Sequence, residues 1–196
     1  RLGWVPFDRE NESVSKTLEY AYDDWCIAQM ARSLGENADY DYFMKRAASY
    51  RNLFDPSHKL MRGRDSKGAW RAPFDSHLYV EGGDITEGTS WQYTWYVPHD
   101  APGLIELFGG AAPFTAKLDS LFVARAEESE GTDDIQGRIG EYWHGNEPSH
   151  HIIYLYAYAG EPWKTQRLVH EIMRTQYGNR PNSLCAPKRR ATSPSA

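Results

Sequence analysis

A long stripe of apolar residues at helical spacing constrains the fold of this chain more than any other feature. Six apolar residues recur on one predicted helix face: Val14, Leu18, Ala21, Trp25, Ala28 and Leu34. Ser13 or Ser15 can cap the start of this helix, and Gly35 can end it. No convincing series of strands accompanies the stripe. The sequence therefore predicts an all-α fold.

Further helices and two long connections complete the predicted pattern. Helices are predicted near Trp91 and over residues 40–54, 101–108, 113–124, 148–159 and 162–177. The connection over residues 56–86 is rich in Gly, Pro, Asp and Ser, and a loop this long is usually either functional or a misassigned element. Residues 126–140 are acidic and Gly-rich, which also predicts a loop. Antiparallel helix pairs joined alternately by short and long connections are typical of an α/α toroid, whose long loops gather at one end.

Composition excludes several classes of protein. The 22 Lys and Arg residues form no long block and the net charge is −5, which argues against a dedicated nucleic-acid binder. The longest apolar run, residues 152–159, is far shorter than the roughly 20 residues that span a bilayer. Two cysteines, Cys26 and Cys185, exclude a disulfide scaffold and an all-cysteine zinc site.

The two ends of the chain differ from its middle. The sequence starts at Arg1 with neither an initiator Met nor a signal-peptide pattern, so we expect it to begin within a longer protein. Residues 186–196 are basic and rich in Ser and Pro, which predicts a disordered tail.

The densest polar cluster lies over residues 141–151. Pro148 is suited to the first position of a helix, with Glu147 as its cap. The oxygens of Asn146 and Glu147 are hard ligands suited to Ca²⁺, and His144 can bind a softer metal or a sugar hydroxyl. The alternative is a capping loop around a buried histidine.

Glu87 lies at a Gly turn before an aromatic-rich segment. It is a candidate catalytic acid, whose pKa an apolar, Trp-lined pocket would raise. The alternative is a first-turn Glu that interacts with the helix dipole. An inverting glycosidase needs a second carboxyl group about 6.5–9.5 Å away. The spacing leaves five candidates for it: Asp23, Asp24, Asp100, Glu141 and Glu147.

Three segments, residues 13–25, 87–100 and 144–151, closely resemble glycoside hydrolase family 92, a family of exo-acting α-mannosidases of which many are α-1,2 specific. The resemblance covers residues 3–185. It implies an N-terminal β-sandwich, absent from this chain, and a catalytic (α/α)6 toroid of which residues 1–185 form part. It also implies inversion, a Ca²⁺ requirement and mannose-containing glycans of the N-glycan or mannan type as substrates.

The resemblance also assigns roles to residues. It implies that Glu87 is the general acid, that Asn146 and Glu147 belong to the calcium and sugar site, and that His144 contacts the sugar. Gln92 lies in a matched segment without an assigned role. The family's general-base segment has no counterpart after Cys185, so we expect this chain as given not to hydrolyse its substrate.

The family resemblance implies a secreted, periplasmic or cell-surface location. Two alternative functions stay open at this point. One is a non-catalytic, Ca²⁺-dependent mannose-binding remnant. The other is a different α/α-toroid enzyme, such as a glucoamylase-like glycosidase or a metal-free lyase.

Overall fold

The computed structural model describes residues 2–124 and 137–179, and most of its regular structure is helical. The α-helices are α1 (Ser13–Leu34), α2 (Asn37–Ala47), α3 (Ser90–Tyr93), α4 (Ala101–Leu107), α5 (Ala111–Val123), α6 (Leu155–Tyr158) and α7 (Pro162–Thr175). Short 3-10 helices span Ala48–Leu53, Glu147–Ser149 and Ile152–Tyr154. The predicted mostly helical fold is confirmed.

Two short hairpins correct the expectation that strands are absent. Strand β1 (Phe54–Asp55) pairs antiparallel with β2 (Leu60–Met61), and β3 (Arg138–Ile139) pairs antiparallel with β4 (Tyr142–Trp143). Each strand has two residues, too few to show the alternation by which strands are recognised in a sequence. Both hairpins lie in or beside the connections predicted as loops.

Helix α1 follows its predicted stripe closely. Leu18 and Ala28 are buried, whereas Leu34 is 69% exposed at the helix end. Gly35 ends the helix with φ 82°, and its N–H bonds to the backbone of the last turn. The predicted serine cap is wrong, because the helix begins after Glu12 and no side chain caps it.

Backbone carbonyls from a distant loop satisfy the first N–H groups of α1 instead. The Glu12 N–H donates to Gly83 O at 2.6 Å, and the Val14 N–H donates to Asp84 O at 2.8 Å. The first donors of a helix have no partner within it, and residues 13–15 of the first turn are buried, so the loop carbonyls take the place of water there. The loop is thereby fixed against the start of α1.

Helix α2 starts three residues before its predicted position, and its last predicted turn is a 3-10 helix. It leads into the β1–β2 hairpin, which is tied by the buried carboxylate of Asp55. Ser57 and Arg62 donate hydrogen bonds to this carboxylate. Although burial acts in the opposite direction, these bonds hold the pKa of Asp55 below its usual range.

The second half of the core is aromatic. The Trp95 ring stacks on Phe108 with centroids 5.4 Å apart, and Phe114 packs edge-on against both. The prediction of one helix over residues 148–159 is wrong, since two 3-10 turns precede the short α6, whereas α7 lies where it was expected.

Several sequence predictions lie outside the described residues. Most of the connection 126–140, Cys185 and the tail 186–196 belong to this group. Within the described ranges, no helix combines the length and apolar character needed to cross a membrane.

Replacing Gly140 by Ala should destabilise the fold by on the order of 2 kcal/mol or more. Gly140 has φ 62°, and a Cβ there would lie 2.5 Å from Leu121 O at the end of α5. Gly35→Ala is the matched control, because Gly35 also has a positive φ but faces open space. Urea unfolding measures both. Equal losses would show that the contact with α5 contributes nothing.

Candidate active site

The loop that carries Glu87 is anchored on the first turn of α1. The Thr86 N–H donates to Ser15 Oγ at 3.0 Å. Just upstream, Asp84 accepts hydrogen bonds from the guanidinium of Arg71, with 2.6 Å between Arg71 Nη2 and Asp84 Oδ1. The loop that carries Glu87 is therefore fixed against the first turn of α1, and the Glu87 side chain is exposed.

The residues after Glu87 form a capping box at the start of α3. The Thr89 N–H donates to Gln92 Oε1 at 2.6 Å, and the Trp91 N–H donates to Thr89 Oγ1 at 3.2 Å. Gly88, with φ 122°, packs against this box, where a Cβ would lie 3.0 Å from Gln92 Oε1. Gln92 was unassigned from the sequence, and its position is now defined.

A second loop meets the first at Asn146. The Asn146 side-chain amide donates to Glu87 O at 3.1 Å, which joins two segments 59 residues apart. Asn146 precedes the 3-10 turn that Glu147 begins, so the prediction that Glu147 caps this turn is wrong by one residue. Asn146 is buried and Glu147 is exposed. Glu87, Asn146 and Glu147 are thus brought together.

His144 lies in the same loop but is enclosed by protein groups. Its Nδ1 is 2.8 Å from Tyr142 Oη, and its Nε2 is 2.7 Å from Tyr177 Oη. The His150 ring stacks on it with centroids 4.8 Å apart. Burial, with a smaller effect of His150, lowers the pKa of His144. Both ring nitrogens therefore have partners, and sugar contact by His144 stays a prediction.

The acidic groups near Glu87 come from α1. Glu19 is half-buried, and burial, followed by the charges of Asp23 and Glu87, raises its pKa. The described residues do not form the apolar enclosure that the sequence suggested for Glu87, because its side chain is exposed.

Three of the five candidates for the second carboxyl group are held by protein groups. Asp24 bonds to Arg46 Nε at 2.8 Å. Asp100 caps α4 and accepts from Tyr50 Oη at 2.6 Å. Glu141 is buried and accepts from Gln92. Asp23 and Glu147 are exposed. Asp24 and Glu141 are also buried, whereas Asp100 is partly exposed but has hydrogen bonds to both of its oxygens, so none of the three is suited to activate water.

The site offers part of a cation shell. Asn146 donates through Nδ2 to Glu87 O, which turns its carbonyl oxygen away from that backbone oxygen, and the exposed Glu147 carboxylate is adjacent in sequence. Oxygen donors of this kind suit Ca²⁺, which takes 6–8 ligands. Within the described ranges, no group of three or more acidic, His or Cys side chains could hold a metal ion. The role of Asn146 and Glu147 as calcium ligands therefore stays a prediction.

Sequence reasoning missed two residues of this region. His77 lies 2.8 Å from Glu141, although 64 positions separate them, and Tyr177 reaches His144 from the end of α7. His77 lies within the long connection over residues 56–86, whose unusual length was the one signal of a role in the site.

The comparison with known protein families decides the assignment. Residues 1–187 match the Glycosyl hydrolase family 92 catalytic domain. The chain belongs to glycoside hydrolase family 92. The family resemblance is confirmed, and a different toroid family, glucoamylase-like or lyase, no longer needs to be considered.

Solved structures of family 92 resemble this chain closely. The α-mannosidase BT3965 from Bacteroides thetaiotaomicron, in complex with mannoimidazole, is 54% identical, with a TM-score of 0.90 over 95% of this chain. The inverting mannosidase BT2199 from the same organism is 45% identical, with a TM-score of 0.77 over 89% of this chain. The match covers 25% of each of those two chains.

A curated fungal relative is likewise several times longer than this chain. An uncharacterized secreted glycosidase of Arthroderma benhamiae is 26% identical in an alignment of 189 positions that covers 85% of this chain and 22% of that protein. The chain thus spans about a quarter of the length of its family 92 relatives.

Acid should destabilise the fold through one buried and two partly buried histidines. Burial lowers the pKa of His99, His144 and His151, so the unfolded chain binds more protons below about pH 6.5. The contribution of these neutral histidines to the free energy of unfolding should therefore be complete at pH 7.5 and decrease towards pH 5.5. Urea unfolding at these pH values measures it. His151→Gln should flatten the dependence, and an unchanged slope would contradict the assignment.

Proposed function

We propose that this chain is part of the catalytic domain of a calcium-dependent, inverting exo-α-mannosidase, with Glu87 as the general acid. One observation carries the proposal: the Asn146 amide donates to the Glu87 backbone, which joins the candidate acid to the candidate calcium ligands. The related structures, an α-mannosidase and an inverting mannosidase, support the reaction class.

Each residue has a chemical task in this proposal. Glu87, exposed at the end of an anchored loop, protonates the glycosidic oxygen of the leaving group. Asn146 and Glu147 hold Ca²⁺, which would supply electrostatic stabilisation to bound mannose hydroxyls. His144 orients Tyr142 and Tyr177 and borders the sugar. The base that activates water would come from outside the described residues.

The wider context is proposed on the same basis. We place the chain within an (α/α)6 toroid that acts on mannose-containing glycans of the N-glycan or mannan type, and α-1,2-linked mannose is the first linkage to test. A secreted, periplasmic or cell-surface location is supported by the secreted fungal relative.

A second candidate is a non-catalytic, Ca²⁺-dependent mannose-binding remnant. It is favoured by the finding that Asp24, Asp100 and Glu141, three of the possible bases, are held by protein groups. Calorimetry of the 196-residue chain with mannoimidazole, with and without chelator, tests it alongside an assay of mannoside hydrolysis. Calcium-dependent binding without turnover supports it. Turnover favours the enzyme, and absence of both removes the remnant.

Glu87→Gln should abolish turnover and spare ligand binding. We suggest a chimera in which residues 1–187 replace the matching quarter of BT3965, since the two sequences are 54% identical. Loss of the proton donor should lower kcat on the order of 100- to 10,000-fold, because the amide keeps the shape but carries no acidic proton.

Mannoimidazole binding by calorimetry confirms that the variant chimera is folded. Unmodified BT3965 serves as the control for the assay. Turnover by the Glu87→Gln chimera at the rate of the parent chimera would exclude Glu87 as the acid.

Glu147→Ala should raise the Ca²⁺ concentration needed for half-maximal activity of the same chimera by about tenfold or more. The physical reason is the loss of one oxygen ligand from the ion. Titration of Ca²⁺ after chelation measures the effect. Glu171→Ala, an exposed change on α7, is the matched control. An unchanged response to chelator would show that Glu147 is no ligand.

A further inference from the structure

A chain of hydrogen bonds crosses the site behind the acid segment, which we define as residues 87–89. The Trp91 indole N–H donates to His77 Nε2 at 3.0 Å, and His77 Nδ1 lies 2.8 Å from Glu141 Oε1. The Gln92 amide donates to Glu141 Oε2 at 3.3 Å and also to Glu141 O. Gln92 Oε1 in turn accepts from Thr89.

The direction of these bonds is fixed by their chemistry. Because a carboxylate can only accept, His77 donates to Glu141 from Nδ1, and the Nε2 of its neutral ring is then an acceptor. The Trp91 indole N–H, which can only donate, has this Nε2 at 3.0 Å and Ser76 Oγ at 3.2 Å as acceptors. Two donors, from His77 and Gln92, therefore point at the side chain of Glu141. A carboxylate accepts at both oxygens, whereas an amide of the same shape offers one acceptor and one donor.

The orientation of Gln92 depends on this arrangement. Both of its N–H groups have acceptors on Glu141, so its carbonyl oxygen is directed to the Thr89 N–H at 2.6 Å and the Thr89 hydroxyl at 2.8 Å. If the Gln92 amide were flipped, its NH2 group would face the Thr89 N–H and its oxygen would face two oxygens of Glu141. Both contacts would be repulsive. Both Gln92 and Thr89 are buried, so water cannot repair such a mismatch.

We propose that Glu141, with His77, is a positioning residue that holds the acid segment through Gln92. The inference rests on the proposed role of Glu87. It gives His77 a role for the first time, and it replaces the role of second carboxyl group for which Glu141 was a candidate. Glu141 is 2% exposed and its oxygens are occupied, so it acts through Gln92 and not on the substrate. The turn that carries it is itself fixed, because the Glu141 N–H donates to Leu121 O at 2.7 Å.

The Thr89 amide is a direct reporter of this chain. Its hydrogen bond is to the Gln92 side chain, so its hydrogen exchange reports the orientation of that amide. In Glu141→Gln, the donors of His77 and Gln92 compete for one remaining oxygen. Exchange at Thr89 should become about tenfold faster in the 196-residue chain, as measured by NMR. The Gly103 amide, held by Asp100 Oδ1 at 2.9 Å, is the internal control.

A second variant separates positioning from simple destabilisation. Adding His77→Ala to Glu141→Gln removes one competing donor, so the oxygen returns to Gln92 and Thr89 should regain most of its protection. His77 is exposed, which makes this change safe for folding. Unchanged exchange at Thr89 in Glu141→Gln, or faster exchange in the double variant than in the single one, would overturn the proposal.

The chimera gives the functional readout. Glu141→Gln should lower kcat and leave KM unchanged, and the double variant should recover part of kcat. A rise in KM with an unchanged kcat would contradict the positioning of the acid, because it would show a loss of substrate binding alone. If the Glu87→Gln chimera stays active, the acid assignment fails, while exchange at Thr89 still decides separately whether Glu141 orders this segment.

Discussion

The site depends on the hydrogen bonds that the backbone N–H groups at the start of α1 donate to the carbonyl oxygens of Gly83 and Asp84. A long helix whose first turn is buried needs acceptors for its free N–H groups, and no side chain of its own supplies them. The loop over residues 83–86 meets this need. Glu87 follows directly, so the requirement that stabilises α1 also determines where the candidate acid emerges.

Hydrogen bonding by protein groups, with burial for Asp55 and Glu141, separates the structural acids from those available for chemistry. Asp55 ties a hairpin, Asp100 caps α4, and Glu141 orders two neighbouring side chains, each with its oxygens occupied. Glu87 and Glu147 keep exposed carboxylates. A buried charge is tolerated only when it is hydrogen-bonded, and such bonds take away the lone pairs that acid and base catalysis would use.

The sequence predicted what depends on local spacing and on matched segments. It located α1, the end at Gly35, α7 and the family. It could not predict the contact of His77 with Glu141, because a hydrogen bond across 64 residues leaves no periodic pattern. The prediction of an α-helix over residues that form 3-10 turns, 147–154, was wrong for a related reason. Apolar residues such as Ile152 and Ile153 suit either helix type, and packing decides between them.

Two loops, and not two isolated residues, form the unit of this site. Asn146 bonds to the backbone of Glu87, Gln92 bonds to Glu141, and Gly88 packs on Trp143. These contacts join the segment over residues 87–92 to the segment over residues 141–147, so a displacement of either moves the other. Groups joined in this way have non-additive energies. Substitutions in the two loops should therefore be compared in double-mutant cycles, because a single change cannot be assigned to one side chain alone.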